Sequence, residues 1–402
     1  MWNRVLHRVL TRLIRKGQLT VEMADGTQTV YEGTPGHSGF VRIVDTTALR
    51  ALCLNPTLAL GECYMDGALE IPEDQLLQTL SLLVENMNLG DMPVWYSAMM
   101  GLRTGLRRFM QRNTPEISRR NVAHHYDISD DLYALFLDQD MQYSCGYFTD
   151  PQVSLENAQI AKKRHIAEKL LLQPGMKVLD IGCGWGGLSI TLAKEYDARV
   201  TGVTLSQNQL ATAQARVAAE GLTDRIDLRL QDYRLLNETY DRIVSVGMLE
   251  HVGFPQLNMY FRKVAELLSE DGVALIHSIT KAGPPAENNA WINKYIFPGS
   301  YAPAGSEVHA AIDRNGLVVA DVESWRLHYS YTLREWHRRF QAQAQTIIAQ
   351  YDDRFYRMFT FYLVSMQASF MYGRMMVQQF QISKGLGQVN VTRDYLYRSA
   401  PS

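Results

Sequence analysis

The run Val178-Leu179-Asp180-Ile181-Gly182-Cys183-Gly184-Trp185-Gly186-Gly187 reads as an apolar strand, a glycine-rich turn and the start of a helix. Glycines there let the backbone approach a ligand closely. Similar spacing occurs in dinucleotide sites, so the glycines alone do not identify the ligand. Their surroundings are more informative. Asp180 closes the strand ahead of the turn, where a carboxylate suits an ammonium or an ordered water. The next strand ends in Gly202-Val203-Thr204-Leu205-Ser206-Gln207-Asn208-Gln209, without the acid that meets a dinucleotide's ribose. A third strand end, Leu230-Gln231-Asp232-Tyr233-Arg234, offers Asp232 to an adenine amino group and sets Tyr233 beside the ring. Three polar strand ends on one rim point to S-adenosylmethionine (AdoMet), a sulfonium with a zwitterionic tail and no pyrophosphate.

Further segments carry a resemblance. They are His124-His125-Tyr126-Asp127, Met141-Gln142-Tyr143-Ser144-Cys145, Asp241 through Gly253 (with Met248-Leu249-Glu250-His251), and Trp291-Ile292-Asn293-Lys294-Tyr295-Ile296-Phe297-Pro298. With the three strand ends, they make residues 121–383 resemble the cyclopropane-fatty-acyl-phospholipid synthases and mycolic-acid cyclopropane synthases. The resemblance implies a class I AdoMet-dependent methyltransferase, a Rossmann-like doubly wound α/β sheet with a helical lid. It implies that Tyr143 and Ser144 close over the cofactor's carboxylate end, and that Gly182 and Gly184 touch its methionine part. Thr204, Leu205 and Gln209 would hold the ribose, and Asp232, Tyr233 and Val246 the adenine. Gly186 and Gln231 belong to the same motifs. The family also binds bicarbonate; its ligands here would be Cys145, Glu250, His277, the Ile279 backbone and Tyr329. Where some relatives carry a cysteine in the long C-terminal helix, this chain has Met366, and no cysteine lies beyond Cys183. The segment Ile279 to Pro285 also differs from close relatives.

The implied reaction sets its own demands. Methyl transfer to a cis alkene leaves a carbocation on the neighbouring carbon, so the pocket must exclude water. Aromatic faces attract cations, and Tyr143, Tyr147, Phe148, Trp185, Tyr233, Trp291, Tyr295 and Tyr329 stand near motif ends. A base within contact distance must then take a proton from the new methyl. Tyr329 and His277 can donate to a bound bicarbonate. Glu250 would accept the bicarbonate hydroxyl proton, or be partly protonated, or itself be the base; the sequence does not separate these. His251 is read as structural. Competing expectations are transfer without ring closure, giving methyl-branched lipids, N-methylation of a small amine, and a lipid-binding scaffold with a dead catalytic domain. The intact glycine motif opposes the last.

The elements that must position these groups follow from periodicity. Strands are expected at Lys177–Ile181, Arg199–Val203, Ile226–Leu230, Asp241–Val246 and Gly272–Ile279. Helices are expected at Trp185–Glu195, Ser206–Glu220 and Pro255–Leu268. This alternation implies a mostly parallel sheet. Residues 280–316 read as an insertion. Helices near Leu333–Gln350 and Arg354–Tyr372 and a strand near Val377–Ser383 complete the chain. The run Phe355–Met376 is either helical core or one wall of an acyl tunnel.

Ahead of this catalytic part, 122–402, residues 1–90 read as a smaller α+β domain, a candidate for lipid binding or dimer contact. Strands at Leu19–Met23 and Thr29–Tyr31 flank Ala-Asp-Gly-Thr, a turn signal. A strand at Phe40–Asp45 and helices at Thr47–Leu54 and Asp74–Val84 follow. Residues 1–16 form a basic amphipathic helix that either lies on an anionic membrane or packs on its own domain. Residues 91–121, with Arg103, Arg107, Arg108, Arg112, Arg119 and Arg120, read as a basic linker suited to a phospholipid surface or as a solvated hinge.

The 402 residues carry a net charge of −2, which disfavours a nucleic-acid partner. The four cysteines form no C-x-x-C pair and no metal cluster, so no metal is expected. A reducing compartment fits them. The expected setting is cytoplasmic and peripheral at the inner membrane face, without a signal peptide or transmembrane helix, and with a homodimer implied by the family alone.

Overall fold

A computed structural model describes residues 1–89 and 129–397. The arginine-rich segment 91–121, the His124–Asp127 motif and the expected domain start at 122 lie outside them. The described residues form two compact units. One combines the N-terminal residues with 287–298 and 330–375; the other contains the glycine turn, 299–329 and the C-terminal strand. The second unit is thus discontinuous in the chain, which simple punctuation by Gly and Pro did not reveal.

In the first unit, β1 (Lys16–Met23) pairs antiparallel with β2 (Gln28–Glu32) and parallel with β3 (Thr34–Ile43), which pairs with the short β4 (Leu69–Glu70). Alternation buries Leu19, Val21, Val41 and Ile43. The β1–β2 turn places Gly26 at φ +82, with Asp25 accepting from Thr27 N. Gly17 is required: a Cβ there would lie 2.1 Å from the His37 carbonyl. The helices Trp2–Leu13, Thr46–Leu54, Pro56–Met65, Leu76–Leu89, Ala290–Tyr295, Ala344–Gln350 and Asp353–Tyr372, with most of His328–Ala342, belong to this unit. Asn86 is fully buried and fully used. Its Oδ1 accepts from Arg15 N at 2.8 Å and Lys16 N at 2.9 Å, and its Nδ2 donates to the Lys16 and Leu82 carbonyls. The first helix buries Leu10 and turns Leu6, Val9 and Leu13 toward a partly open apolar cavity. Its apolar face is therefore engaged within its own unit.

The second unit is built on a seven-stranded sheet. Its strands are β5 (Lys177–Ile181), β6 (Arg199–Thr204), β7 (Ile226–Leu230), β8 (Tyr240–Val246), β9 (Leu268–Lys281), β10 (Val318–Trp325) and β11 (Met375–Ser383). The order is β10-β11-β9-β8-β5-β6-β7. Strands β7, β6, β5, β8 and β9 run parallel, with Ile181 opposite both Val203 and Ser245; β10 and β11 pair antiparallel. Period-two alternation serves both faces. Leu179, Ile181, Ile243 and Ile276 pack with Tyr260, Phe261 and Val264 of the helix Leu257–Leu267. Val178, Val200, Val244 and Leu275 pack with Ile166, Leu192 and Val217 from helices on the other face. Burying each such aliphatic side chain contributes about 2 kcal/mol.

Several boundaries differ from the periodicity for local reasons. The helix expected from Trp185 begins at Gly187, because Gly184 and Gly186 take φ of +53 and +80. The stretch expected as Leu333–Gln350 divides into His328–Ala342 and Ala344–Gln350, with Gln343 N bonding back only to Phe340. The helices Pro56–Met65 and Leu155–Lys169 and strand β10 were not expected at all.

Candidate active site

The parallel strands end on one rim, where the polar segments meet. After β5 the chain turns sharply: Gly182 N and Cys183 N both bond to the Val203 carbonyl at the end of β6, at 2.9 and 3.1 Å. Gly182 takes φ +85. Asp180 is 2 % exposed and accepts from Ser189 Oγ at 2.7 Å. Burial pushes its carboxyl up to about 6, against the opposing pull of Ser189 and the Lys162 charge.

At the end of β6, Thr204 Oγ1 donates to Gln209 Oε1 at 3.2 Å, and Ser206 caps the helix Gln207–Ala219. Leu205 lies between them, and Gln231 N donates to the Thr204 carbonyl, which ties the β7 end to the β6 end. Asp232 is 3 % exposed, and both its oxygens are held by the Arg234 guanidinium, at 2.8 and 2.5 Å. The expected adenine acceptor is thus an ion-paired carboxylate; Oδ1 also accepts from Arg234 N at 3.0 Å, so Oδ2 is the oxygen that retains a second acceptor lobe. Tyr233 packs edge-on to Tyr260. Val246 ends β8 opposite His277 of β9, and Gly247 N bonds to the His277 carbonyl at 2.9 Å. A Cβ on Gly184 or on Gly247 would meet nothing within 4 Å. That open space at the ends of the adjacent strands β5 and β8, beside a buried acid, fits a cationic nucleoside cofactor such as AdoMet.

A second cluster holds the acid–base groups. Glu250 sits on the turn Leu249–His251, directly after β8. Its Oε1 accepts from Ile279 N at 2.5 Å, while Oε2 is buried without a hydrogen-bond partner among the described residues. Burial pushes the carboxyl up to about 7. His277 is 2 % exposed, and Gln379 Nε2 of β11 lies 3.1 Å from its Nδ1. With that amide donating, Nδ1 accepts and the ring proton sits on Nε2. Burial first, and then the Lys162 and Lys169 charges, hold His277 far below its ordinary range, so the ring is neutral. Trp325 stands edge-on to His277 at 5.1 Å and also packs on Tyr147. Tyr147 is itself stacked between His165 and His328.

Of the expected bicarbonate ligands, Glu250 and Ile279 meet through their hydrogen bond, and His277 stands two residues before Ile279 on β9. Cys145 is fully buried, its thiol 3.4 Å from the Gly146 carbonyl. Tyr329 is half-buried on the helix that begins at His328, whose Nδ1 accepts from Phe148 N at 2.9 Å. Tyr143 and Trp185 both pack against the buried Tyr133, a residue with no motif of its own in the chain. His251 is partly exposed and held neutral by burial, its pKa down to about 4. Trp291 and Tyr295, counted as aromatic candidates, are committed within the first unit. Trp291 Nε1 donates to Met65 Sδ and Tyr295 donates to Glu62.

Two further polar side chains were missed. Gln379 lies in a strand that reads only as apolar with interspersed glutamines. Lys162 lies in the helix Leu155–Lys169, for which no expectation was set, and it is 1 % exposed. Its Nζ donates to Gln142 Oε1 at 2.6 Å and Ser144 Oγ at 2.8 Å. Neighbouring Lys163 donates to Asp140 Oδ2 at 2.6 Å, and Arg216 pairs with the same carboxylate. Among the described residues no group of three or more acids, histidines and cysteines is placed to hold a metal ion.

A five-stranded parallel sheet extended past β9 by the antiparallel pair β11 and β10, with a glycine turn and open space at the central strand ends, defines a class I AdoMet-dependent methyltransferase. The family model described as mycolic acid cyclopropane synthetase matches residues 113–380, and the chain belongs to that family. It is 38 % identical over 348 residues to the Escherichia coli K12 cyclopropane-fatty-acyl-phospholipid synthase, covering 86 % of this chain and 88 % of that one. It is 41 % identical over 288 residues to a probable fatty acid methyltransferase of Pseudomonas putida, covering 69 % and 73 %. Among solved structures, the Mycobacterium tuberculosis cyclopropane synthase MmaA2 superposes with a TM-score of 0.63 at 34 % identity, covering 66 % of this chain and 98 % of that one. CmaA1, complexed with S-adenosylhomocysteine and CTAB, gives 0.63 at 36 % identity, covering 66 % and 97 %. The chain is accordingly an AdoMet-dependent enzyme that transfers a methylene unit to unsaturated acyl chains.

Proposed function

We propose that the acyl chain is presented on an intact membrane phospholipid and that its cis double bond is closed to a cyclopropane ring with bound bicarbonate in the acid–base cluster. The observation that carries this is Glu250 Oε2, a buried acceptor left without a partner among the described residues, on a carboxylate bonded to the strand that also carries the neutral His277. Bicarbonate, when held there, supplies a compact base for the proton lost from the new methyl. Glu250 Oε2 accepts the hydroxyl proton of that anion, and Ile279 N–H keeps the carboxylate from turning away. His277 Nε2–H donates to an anionic oxygen, its direction set by Gln379. Cys145 and Tyr329 complete the set by resemblance. AdoMet, when bound at the glycine turn, would supply an electrophilic methyl to one alkene carbon and would leave as the neutral thioether. The neighbouring carbon takes the positive charge, and loss of a methyl proton lets that pair of electrons close the ring. Tyr143, Trp185 and Tyr133 supply aromatic faces on the approach to the glycine turn.

Lipid binding by the first unit is part of this reading. Its cavity of about 250 Å³ is predominantly apolar, lined by Leu6, Leu13, Leu83, Met87, Phe361 and Met366 among others. That suits a hydrocarbon tail and not a soluble amine. Among the described residues no helix is long and apolar enough to cross a membrane. Peripheral docking at the inner face, on anionic lipid, is therefore the expected mode, with a homodimer doubling such contacts. Incubating the protein with AdoMet, bicarbonate and vesicles of cis-monounsaturated phospholipid tests the whole. Upfield ring protons by NMR support it. A mass gain without ring protons rejects ring closure, and ring formation undiminished in bicarbonate-free buffer rejects the anion. Vesicle sedimentation that ignores salt rejects electrostatic docking.

A further inference from the structure

Lys162 is the least expected charge in the second unit. It sits on the helix Leu155–Lys169, 1 % exposed, with an ammonium that has three donors. Two of these go to neutral oxygens, Gln142 Oε1 and Ser144 Oγ. Among the described residues no carboxylate lies within ion-pair distance of it; nearby Asp140 is taken by Lys163 and Arg216. The buried Asp138 acts on it only through space, its carboxylate accepting from Asp140 N and Gln142 N; a buried ammonium with no directly bonded counter-ion is costly, and its third donor favours an anion. The surroundings show where that anion belongs. The segment Asp138–Ser144 lies directly over the glycine turn: a Cβ on Gly187 would stand 2.4 Å from Asp140 Oδ2 and Gln142 Nε2. Ser144 is fixed from two sides, its carbonyl by Gln159 Nε2 at 2.9 Å and its hydroxyl by Lys162. Since a Lys162 N–H occupies a lone pair of that oxygen, the Ser144 O–H is left to donate elsewhere. Lys162 is also near enough to Asp180 to draw its carboxyl downward.

We propose that Lys162 is the cationic seat for the α-carboxylate of the cofactor's amino-acid tail, acting beside the Ser144 hydroxyl, with Asp180 as the counterpart for the tail's ammonium. A zwitterionic tail needs one fixed charge of each sign, and these two buried groups supply them on either side of the glycine turn. Lys162 is a binding residue that sets the cofactor's position and selects for the intact tail. Burial holds its pKa down to about 8; a bound carboxylate raises it again.

This rests on the AdoMet reading and is tested apart from it. The full chain is titrated calorimetrically with S-adenosylhomocysteine and with 5′-methylthioadenosine, which keeps the nucleoside and sulfur but lacks the tail. Lys162→Met is expected to weaken S-adenosylhomocysteine by tenfold or more and to leave 5′-methylthioadenosine within twofold of the parent. Lys162→Gln, which keeps a hydrogen-bonding end group, gives the same comparison if the Met variant does not fold. Equal weakening of both ligands, or of neither, overturns the assignment. A parent protein that binds neither ligand overturns the AdoMet reading itself.

Discussion

Gln379 and His277 form a buried pair across two strands of the sheet, with Gln379 Nε2 3.1 Å from His277 Nδ1. The amide fixes which imidazole nitrogen carries the proton, and so which direction His277 can donate. Gln379→Leu removes that constraint while keeping the volume. It should lower turnover by about tenfold or more, as loss of an orienting partner does, with S-adenosylhomocysteine affinity unchanged. Steady-state kinetics beside calorimetry check this, and a loss of cofactor affinity equal to the loss of turnover would show the pair to be merely structural.

Glu250 gives a pH dependence with a definite sign. Its carboxyl titrates near 7 in the folded chain, above the ordinary value of 4.5. If Glu250 acts ionised, the rate at saturating substrate falls as pH drops through about 7. Stability runs the other way. The folded state binds the proton more tightly than the unfolded state, so stability is lost as pH rises from about 4.5 to about 7. Glu250→Gln should therefore be the more thermostable protein at pH 8 and no more stable at pH 4.5, a gain on the order of 2 kcal/mol. Its ring-forming activity should be nearly abolished. Melting curves that shift equally at both pH values would contradict the buried, titrating carboxyl.

How far these groups could be read in advance depends on what signal each leaves in the chain. The glycine turn and the parallel strands were legible because backbone geometry and period-two apolar runs write themselves into residue type. The helix Leu155–Lys169 was not, because Lys162, Lys163, His165 and Lys169 interrupt its apolar stripe, yet all four are buried. Three of them are ion-paired across the fold, Lys163 with Asp140 and both His165, at 2.7 Å, and Lys169, at 2.5 Å, with Glu323. The same partnership hid β10, whose Asp321 and Glu323 look like solvent-facing acids in a short stretch. Asp321 is engaged by Arg393 and Glu323 by that helix. Gln379 had no signal, since a lone glutamine becomes informative only once β11 has been placed beside β9.

Asp232 offers a contrast with Lys162. Its two oxygens are held by Arg234, and it sits where the nucleoside base is expected, far from any role with the amino-acid tail. Asp232→Asn loses the charge that anchors Arg234 and one acceptor for the adenine amino group. A hydrogen bond to a charged group is worth about 1.5–3 kcal/mol, so affinity should fall about tenfold or more. The fall should be equal for S-adenosylhomocysteine and 5′-methylthioadenosine, because both carry the base. Weakening confined to the tailed ligand would place Asp232 at the wrong end of the cofactor.

The cavity of the first unit provides the last discrimination, between a lipid tail and an unoccupied packing defect. Ser365 lines it from the helix Asp353–Tyr372, with its hydroxyl bonded back to the Tyr362 carbonyl. Ser365→Phe fills the space from one wall without touching the glycine turn or Glu250. If the cavity only weakens packing, the larger side chain buries apolar surface and raises the melting temperature, and the rate on phospholipid vesicles is unchanged. If it takes a tail, each displaced methylene forfeits about 0.8 kcal/mol, and two cost the lipid about tenfold in affinity. The apparent KM for vesicles should then rise by that factor, while S-adenosylhomocysteine binding stays constant. A stabilised variant with an unaltered vesicle KM would remove the first unit from lipid recognition and leave the acyl chain to be held by the second alone.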